Sequence, residues 1–114
     1  MLRSQRLNQS RDFDRLFKKA TRSSDELVTV LARRNGNALA RLGMAISRKC
    51  APRAVDRNRL KRVIRESFRQ SSAELSGLDL MVIGKRRAKP PSSGQLRASL
   101  ERHWLILSRK CKRC

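Results

Sequence analysis

Residues 57–69 have the sequence RNRLKRVIRESFR, in which core-type side chains recur at steps of three and four. The inner stripe consists of Leu60, Val63, Ile64, Ser67 and Phe68. This spacing places them on one face of an α-helix. Pro52 suits the first turn of a helix, so we predict a helix that begins near this residue and continues to about Ser72.

The opposite face of the predicted helix is basic. Its members are Arg57, Asn58, Lys61, Arg62, Arg65 and Arg69, with Arg59 close by and Glu66 as the one acidic residue of the segment. Like charges one turn apart each destabilise an isolated helix by about a few tenths of a kcal/mol, and solvated faces usually interleave acids. The pattern therefore favours a ridge of guanidinium groups along a phosphate backbone over a face that is only solvated. Asn58 can donate and accept, which suits a 2′-hydroxyl, a phosphate or a hydrated metal ion.

The charge of the whole chain also points to a polyanionic partner. The 114 residues include 29 Lys and Arg against 9 Asp and Glu, a net charge of +20. Of the basic residues 21 are Arg, whose planar guanidinium can hold a phosphate with two hydrogen bonds and stack on a base. We therefore expect nucleic acid as the partner, with an acidic membrane surface as the second candidate.

Several classes of protein are excluded by composition. No apolar run approaches the ~20 residues that a membrane span needs. The three cysteines, Cys50, Cys111 and Cys114, have no framework spacing, which favours a reducing cytoplasm, and we expect no metal site at the Cys111–Cys114 pair. His103, the single histidine, is expected on a helix surface. We therefore predict that the chain has no catalytic residues of its own and is not a free-standing enzyme.

The remaining pattern predicts one α+β domain over residues 1–108. The predicted elements are a helix at 10–20, strands at 26–34 and 38–47 joined by a tight turn at 35–37, a strand at 79–84, a loop at 85–93 and a helix at 94–108. The order is α-β-β-α-β-α, with an extra short strand possible, and residues 21–25 form a polar break. The tail at 109–114 is basic and is expected to be disordered.

Two of these elements show which side faces the core. Alternation in the second strand places Ala40, Leu42, Met44 and Ile46 on its core side. The last helix has Leu96, Leu100, Trp104, Ile106 and Leu107 mostly on one side, and Trp104 is expected to close the core. The strand at 79–84 is nearly continuous in apolar residues, which predicts a central position in the sheet.

The helical segment at 57–69 strongly resembles the signature of the bacterial ribonuclease P protein component. Its flanking motifs follow in the order of that family: Asp12-Phe13-Asp14-Arg15-Leu16-Phe17, Ser47-Arg48-Lys49, Ala54-Val55, Asp79-Leu80-Met81-Val82-Ile83 and Lys85-Arg86-Arg87. The resemblance covers about residues 3–108. It implies a two-layer α/β sandwich in which the signature helix lies in a left-handed β-α-β crossover, against the usual right-handed rule.

The resemblance also implies a function. In that family a large RNA subunit with Mg²⁺ hydrolyses a phosphodiester and releases the 5′ leader of precursor tRNA, so the protein is a subunit of an endoribonuclease and not its catalyst. The resemblance implies that Mg²⁺ is bound mainly by the RNA and that none is bound tightly by the protein. The partners are the catalytic RNA and precursor tRNA with its leader, without a membrane, and we expect one monomeric copy per RNA in the cytoplasm.

Site residues follow from the resemblance by position. The expected RNA-binding residues are Arg48, Lys49, Arg57, Asn58, Arg59, Lys61, Arg62, Arg65 and Arg69. Phe13 and Phe17 would border the leader cleft between the first helix and the sheet, where a ring offers a stacking platform, although their spacing also fits a core stripe. Many members place an aromatic residue in the first strand, whereas residues 27–31 here offer only aliphatic ones, so leader stacking is expected to be weaker or differently placed.

Two other classes compete with this interpretation. A non-catalytic RNA-binding module, such as a ribosomal or assembly protein, would be supported equally by the charge alone. A membrane-surface binder is disfavoured by the predicted strand pair and by the scattered arginines.

Overall fold

Strands and helices follow one another along the chain largely as the hydrophobic pattern predicts. The structure, a computed structural model, describes residues 20–36, 38–86 and 89–112. Its elements are β1 (Thr21–Ser24), β2 (Val28–Arg34), β3 (Arg41–Ala45), α1 (Ala54–Gln70), β4 (Leu78–Gly84) and α2 (Ser93–Lys112). The helix predicted at residues 10–20 lies outside the described residues apart from Ala20, and so do Phe13 and Phe17.

The four strands form one sheet with the order β1-β2-β4-β3. Strand β4 pairs antiparallel with β2 and parallel with β3, so that Val82 lies between Val30 and Met44. The prediction that residues 35–37 form the turn of a hairpin is therefore wrong, because β4 separates the two flanking strands. The reason is the nearly continuous apolar run of β4, whose residues 78–82, Asp79 included, are all buried and occupy the predicted central position.

The polar segment at 21–25 contains a short strand. Strand β1 pairs antiparallel with β2, with Ser23 opposite Val30. Its polar side chains have partners: Ser23 Oγ lies 2.6 Å from His103 Nδ1, and Ser24 Oγ lies 3.0 Å from Thr29 Oγ1. The extra short strand that the sequence allowed is therefore present. Its side-chain partners are polar, and His103 is distant in the chain, so the hydrophobic pattern does not reveal them.

The core lies between one face of the sheet and the two helices. The predicted inner stripe of α1 is confirmed, since Leu60, Val63, Ile64, Ser67 and Phe68 are all buried. The predicted core side of β3 is also confirmed: Ala40, Leu42 and Ile46 are buried, and Met44 packs against the same cluster. Because both helices pack on one face, the domain has two layers.

Helix α1 connects the parallel neighbours β3 and β4. This connection forms a β-α-β unit, which parallel strands require because a tight turn cannot join them. The unit agrees with the crossover that the resemblance implies, and its left-handed sense stays a prediction. The arrangement directs the inner stripe of α1 to the sheet and leaves its basic side on the surface.

Helix α2 covers the rest of the sheet through a regular stripe. Leu96, Leu100, Trp104, Leu107 and Cys111 are buried, and Trp104 closes the core as predicted. Two predictions for this helix are wrong: Ile106 is 40% exposed, and His103 is buried at 3% exposure. The reason is the helical period, because position 103 lies one turn from 100 and 107 whereas position 106 falls off the stripe.

The end of α2 differs from the prediction as well. We expected the helix to end at Ser108 and residues 109–114 to be disordered, but it continues to Lys112. Cys111 is buried at 4% exposure, and Arg34 Nε donates to its carbonyl oxygen at 2.8 Å. This contact from β2 stabilises the last turn, where carbonyl groups otherwise lack a helical partner. Residues 113 and 114 lie outside the described range.

Candidate nucleic-acid interface

Helix α1 presents its basic side to the surface over its whole length. Asn58, Arg62, Arg65 and Arg69 are exposed, and Lys61 is half-buried at the edge of this side. Arg62 and Arg65 make no hydrogen bond or ion pair within the described part of the chain, so their guanidinium groups are available to a ligand. The described face therefore supports the predicted ridge of guanidinium groups.

A shallow groove runs along this side of α1. It has a volume of about 570 Å³ and is lined by Val55, Asn58, Arg59, Arg62 and Arg65. Val55 is 61% exposed, the largest exposure among the bulky apolar side chains on the surface of the described residues. A groove with cations on its walls and an apolar side chain at one end suits a nucleotide, which combines a charged phosphate with an apolar sugar and base.

The side chain of Arg59, which is predicted to bind RNA, makes hydrogen bonds to other residues of the protein. Its Nη2 donates to the Pro91 carbonyl oxygen at 2.9 Å, and its Nη1 donates to Ser93 Oγ at 3.2 Å. These bonds connect α1 to the start of α2. Arg59 still lines the groove, so the structure brings it to the predicted site while part of its hydrogen-bonding capacity is used within the protein.

Arg57, also predicted as an RNA ligand, contacts the segment before its own helix. The guanidinium nitrogen Nη1 of Arg57 donates to the carbonyl oxygens of Ala51 and Pro52, at 2.9 and 2.8 Å. Side chains on a helix are tilted towards its N-terminus, which allows this backward contact. Arg57 is half-buried, in contrast to Arg62 and Arg65.

Arg48 and Lys49 lie in a turn just before α1. The backbone N–H groups of Cys50 and Ala51 both donate to the Ser47 carbonyl oxygen at 3.1 Å. Arg48 and Lys49 are exposed, whereas Cys50 is buried against the end of β4. A Cβ atom at Gly84 would lie 2.6 Å from Cys50 Sγ, so the close packing of this turn requires a glycine there. The turn therefore adds two cations near the N-terminal end of α1.

The balance of charge along α1 favours an anionic ligand. Its basic residues are Arg57, Arg59, Lys61, Arg62, Arg65 and Arg69, against Asp56 and Glu66. Asp56 lies in the first turn and Arg69 in the last, where each charge is stabilised by the helix dipole. Both acids are half-buried, while the exposed positions of the face are basic or neutral. The resulting field attracts polyanions and is screened by salt.

The opposite face of the sheet has a second, smaller groove. It measures about 230 Å³ and is lined by Ala20, Arg22, Leu31 and Ile83. Leu31 pairs with Met81 in register, and these two buried residues form an apolar cluster separate from the main core. The period of two along β2 explains why Leu31 faces this groove while Val30 faces the helices. Neither Arg22 nor Ile83 was predicted as a site residue, although strand alternation places both on this face.

A buried polar cluster joins the β1–β2 connection to α2. Asp25 Oδ1 accepts from the backbone N–H groups of Leu27 and Val28 at 2.8 and 3.0 Å. Its Oδ2 accepts from Ser99 Oγ at 2.5 Å and lies 3.1 Å from His103 Nε2. The cluster lies between the β1–β2 connection and α2 and includes no residue of α1, so we assign it to the structure of the domain.

Burial and hydrogen bonding shift the pKa values in this cluster. Burial tends to raise the pKa of Asp25, but hydrogen bonds from Ser99, Val28 and Leu27 and the nearby His103 outweigh it and lower the pKa from 3.8 to about 2. Burial lowers the pKa of His103 below 6.5, and the carboxylate of Asp25 opposes this change. The cluster is therefore most stable with an ionised aspartate and a neutral histidine.

The described ranges contain neither a metal cluster nor a membrane-spanning helix. Nowhere in residues 20–36, 38–86 and 89–112 do three His, Cys, Asp or Glu side chains come together as a metal site would require. Within the same residues, neither helix is both long and apolar enough to span a membrane.

A sheet-and-helix domain that exposes one arginine-rich helix face is typical of proteins that bind nucleic acid through its phosphates. Comparison with known proteins identifies the family within this class to which the chain belongs. The family model described as Ribonuclease P matches residues 1–108. The chain is 50% identical over 109 residues to the ribonuclease P protein component of Methylococcus capsulatus, covering 96% of this chain and 85% of that protein. It is 44% identical to that of Thioalkalivibrio sulfidiphilus, covering 96% and 91%.

Solved structures show the same fold. The Staphylococcus aureus RNase P protein superimposes with a TM-score of 0.80 at 32% identity, covering 91% of this chain and 94% of that chain. The Thermotoga maritima RNase P protein gives a TM-score of 0.75 at 33% identity, covering 91% and 96%. The chain therefore belongs to the bacterial ribonuclease P protein family, as its signature helix indicated. Members of this family are components of the complex that processes the 5′ end of tRNA and that contains ribonuclease P RNA.

Proposed function

We propose that this chain binds the catalytic RNA of ribonuclease P and assists the Mg²⁺-dependent endonucleolytic removal of the 5′ leader from precursor tRNA. The observation that carries the proposal is the exposed side of α1, where Asn58, Arg62, Arg65 and Arg69 stand in a row. Arg48 and Lys49, in the turn before the helix, are exposed as well. A folded RNA offers phosphates at a spacing that such a row can contact.

The energetic basis of binding is the release of counterions from the RNA. Each phosphate that a cation neutralises releases condensed counterions, which makes affinity fall with salt concentration. Arg62 and Arg65 suit this role because neither has a partner within the described part of the chain. Arg57 and Arg59 contribute charge to the same surface, while their bonds within the protein fix its shape.

The second groove supports leader binding on the other face of the sheet. Leu31 and Ile83 provide an apolar wall and Arg22 provides a cation, a combination that accepts a single strand with little sequence preference. The assignment of Phe13 and Phe17 to this cleft stays a prediction. With aliphatic rather than aromatic side chains from the sheet, bases would contact the wall by packing and not by stacking.

We assign the chemistry to the RNA subunit and to Mg²⁺ held mainly by RNA phosphates. Mg²⁺ prefers oxygen ligands and keeps several of its waters, and the exposed side of α1 offers the Asn58 amide oxygen among arginines. The protein would thus bind no Mg²⁺ tightly, and Asn58 would contact the hydrated ion or a 2′-hydroxyl. Its role is to hold the RNA surfaces together, as one monomeric copy per RNA, in the cytoplasm where precursor tRNA is processed.

Reconstitution tests the proposal. The chain is mixed with the ribonuclease P RNA of its source organism and a precursor tRNA with a 5′ leader, at a low Mg²⁺ concentration at which the RNA alone is nearly inactive. We expect cleavage at the mature 5′ end to be restored. The paired variant Arg62→Ala with Arg65→Ala should lose most of this stimulation, whereas Arg97→Ala at an exposed position on α2 should keep it. No stimulation over RNA alone, combined with tight binding to ribosomal RNA, would instead indicate the alternative RNA-binding module.

A further inference from the structure

The segment that leads into α1 leaves backbone carbonyl groups that α1 itself cannot satisfy. A helix accepts hydrogen bonds on carbonyls from its N-cap onwards, and here the N-cap is Arg53, whose carbonyl accepts from the N–H groups of Asp56 and Arg57. The carbonyls of Ala51 and Pro52 come before this point. Arg53 has no side-chain capping bond, so the entry to the helix depends on other contacts.

The guanidinium of Arg57 supplies those contacts. One terminal nitrogen donates to both carbonyl oxygens, at 2.9 Å to Ala51 and 2.8 Å to Pro52. Hydrogen bonds from a charged donor are about twice as strong as neutral ones, and Ala51 is fully buried. Arg57 therefore fastens the end of the preceding turn to the first two turns of α1.

The turn that Arg57 holds in place contains two of the residues that are predicted to bind RNA. Arg48 and Lys49 lie in the turn whose N–H groups at Cys50 and Ala51 both bond to Ser47. Both side chains are exposed and make no hydrogen bond or ion pair within the described residues, so their placement depends on the backbone of the turn. The contact that fixes residues 50–52 relative to α1 therefore also fixes the position of Arg48 and Lys49 relative to Arg62 and Arg65.

We propose that Arg57 is a positioning residue, which holds the turn at 47–52 on the start of α1 so that Arg48 and Lys49 meet the RNA together with the exposed side of the helix. This inference rests on the proposed function for the RNA contact, but not for the positioning itself. It divides the signature segment by role: Arg62 and Arg65 contact the ligand directly, and Arg57 acts through the turn.

The identity of the residue matters for this role. The guanidinium is planar and reaches farther than an ammonium, so Arg57→Lys keeps the positive charge and removes the paired bonds to two carbonyls. If Arg57 served the RNA only through its charge, this change would be mild. The charge-keeping change Arg97→Lys at an exposed position on α2, away from the predicted RNA-binding residues, is the matched control.

Hydrogen exchange on the free protein tests the positioning. In Arg57→Lys, the amides of Cys50 and Ala51 should exchange about tenfold faster, as expected when a charge-assisted bond that holds the segment is removed. The amides of β4 should be unchanged in the same variant, and Arg97→Lys should leave the exchange of all these amides unchanged. Arg57→Met, which keeps the aliphatic stem, provides a second variant if the lysine variant unfolds. Unchanged exchange at Cys50 and Ala51 in both variants would overturn the proposal.

RNA affinity tests the consequence. The pair Arg48→Ala with Lys49→Ala should weaken binding strongly in the natural background and much less in the Arg57→Lys background, because the cations are already misplaced. The same pair should weaken binding as strongly in the Arg97→Lys background as in the natural chain. If the pair lowered RNA affinity equally in the Arg57→Lys and the natural backgrounds, the positioning role of Arg57 would be contradicted. If exchange responds as expected but none of these variants alters RNA affinity, the proposed RNA interface fails while the structural role of Arg57 stands.

Discussion

Trp104 on α2 donates a hydrogen bond from its indole Nε1 to Ser67 Oγ on α1 at 2.8 Å. Both residues are buried, and the Trp104 ring meets Phe68 edge-on with 6.4 Å between ring centroids. The contact joins the inner side of α1 to the last helix. It therefore helps to fix the rotation of α1 about its own axis, and with it which side of the helix is exposed.

Ser67→Ala should destabilise the fold. The change leaves the buried Trp104 Nε1 without its acceptor, which costs about 1–3 kcal/mol. Urea denaturation should show this loss as a lower midpoint. Ser76→Ala, at an exposed serine that bonds to the nearby Ala73 carbonyl, should stay within about 0.5 kcal/mol. An equal effect of the two changes would show that the Trp104 bond does not stabilise the helix pair.

Arg41→Ala should destabilise the edge of the sheet. Arg41 donates two hydrogen bonds to the buried Asp79 carboxylate, at 2.7 and 2.6 Å. In the alanine variant, Asp79 Oδ1 still accepts from the Asn35 amide, but the carboxylate loses the positive charge of Arg41. We expect a loss of about 2 kcal/mol, below the range for fully buried pairs because the Arg41 side chain is 30% exposed. Thermal unfolding at neutral pH checks this, and an unchanged midpoint would contradict it.

Acid should destabilise the domain through the Asp25–His103 cluster. The pKa of folded His103 lies below 6.5, so below that pH the unfolded chain binds more protons and stability falls. Lys85 and Arg102 reinforce this shift, whereas Asp25 opposes it. The pKa of folded Asp25 is about 2 against 3.8, so its contribution is complete above about pH 3.8 and is lost as the pH falls towards 2.

The corresponding measurement is the midpoint of urea unfolding between pH 7 and pH 2. Replacing Asp25 by Asn should destabilise the protein near pH 6, and the difference from the natural chain should shrink as the pH approaches 2. A difference that stays constant over this range would show that the charge of Asp25 does not contribute. Glu101→Gln, at an exposed position on α2, serves as the control for the loss of an ordinary carboxylate.

Arg22→Ala should weaken the binding of precursor tRNA with a long leader more than that of leaderless tRNA. Arg22 is exposed at the second groove, so the change removes a cation with little effect on stability. The loss of affinity should correspond to about one phosphate contact and should diminish at high salt. Fluorescence titration of the assembled complex with both substrates checks this. Equal effects on the two substrates would remove the groove from the leader path.

The main features that could be predicted from the sequence were those with a regular period. The inner stripe of α1, the core side of β3 and the central position of β4 follow from hydrophobic spacing, because burial selects the same side chains that the pattern marks. The order of the strands did not follow. The turn signal at residues 35–37 is local, and whether the strands beside it pair depends on β4, which comes more than forty residues later and competes for the same edge.

The site shows the same division. Spacing identified the basic side of α1, and the structure places Asn58, Arg62, Arg65 and Arg69 on it. Spacing could not separate Arg57 from Arg62, because the difference lies in two carbonyls at residues 51–52 that only the folded turn brings within reach. The burial of His103 follows from the helical period, but its polar partners at residues 23 and 25, about eighty residues away in the chain, do not follow from local spacing.

The most direct test of the RNA interface is the salt dependence of binding to ribonuclease P RNA. Compared with the natural chain, the paired variant Arg62→Ala with Arg65→Ala should bind more weakly at low salt. Its plot of log affinity against log salt should be shallower by about 0.7–0.9 for each phosphate that the variant no longer neutralises. Arg97→Ala, which removes an exposed arginine from α2, should change neither property beyond a small general effect. An unchanged slope for the paired variant would contradict the assignment of α1 as the RNA-binding surface.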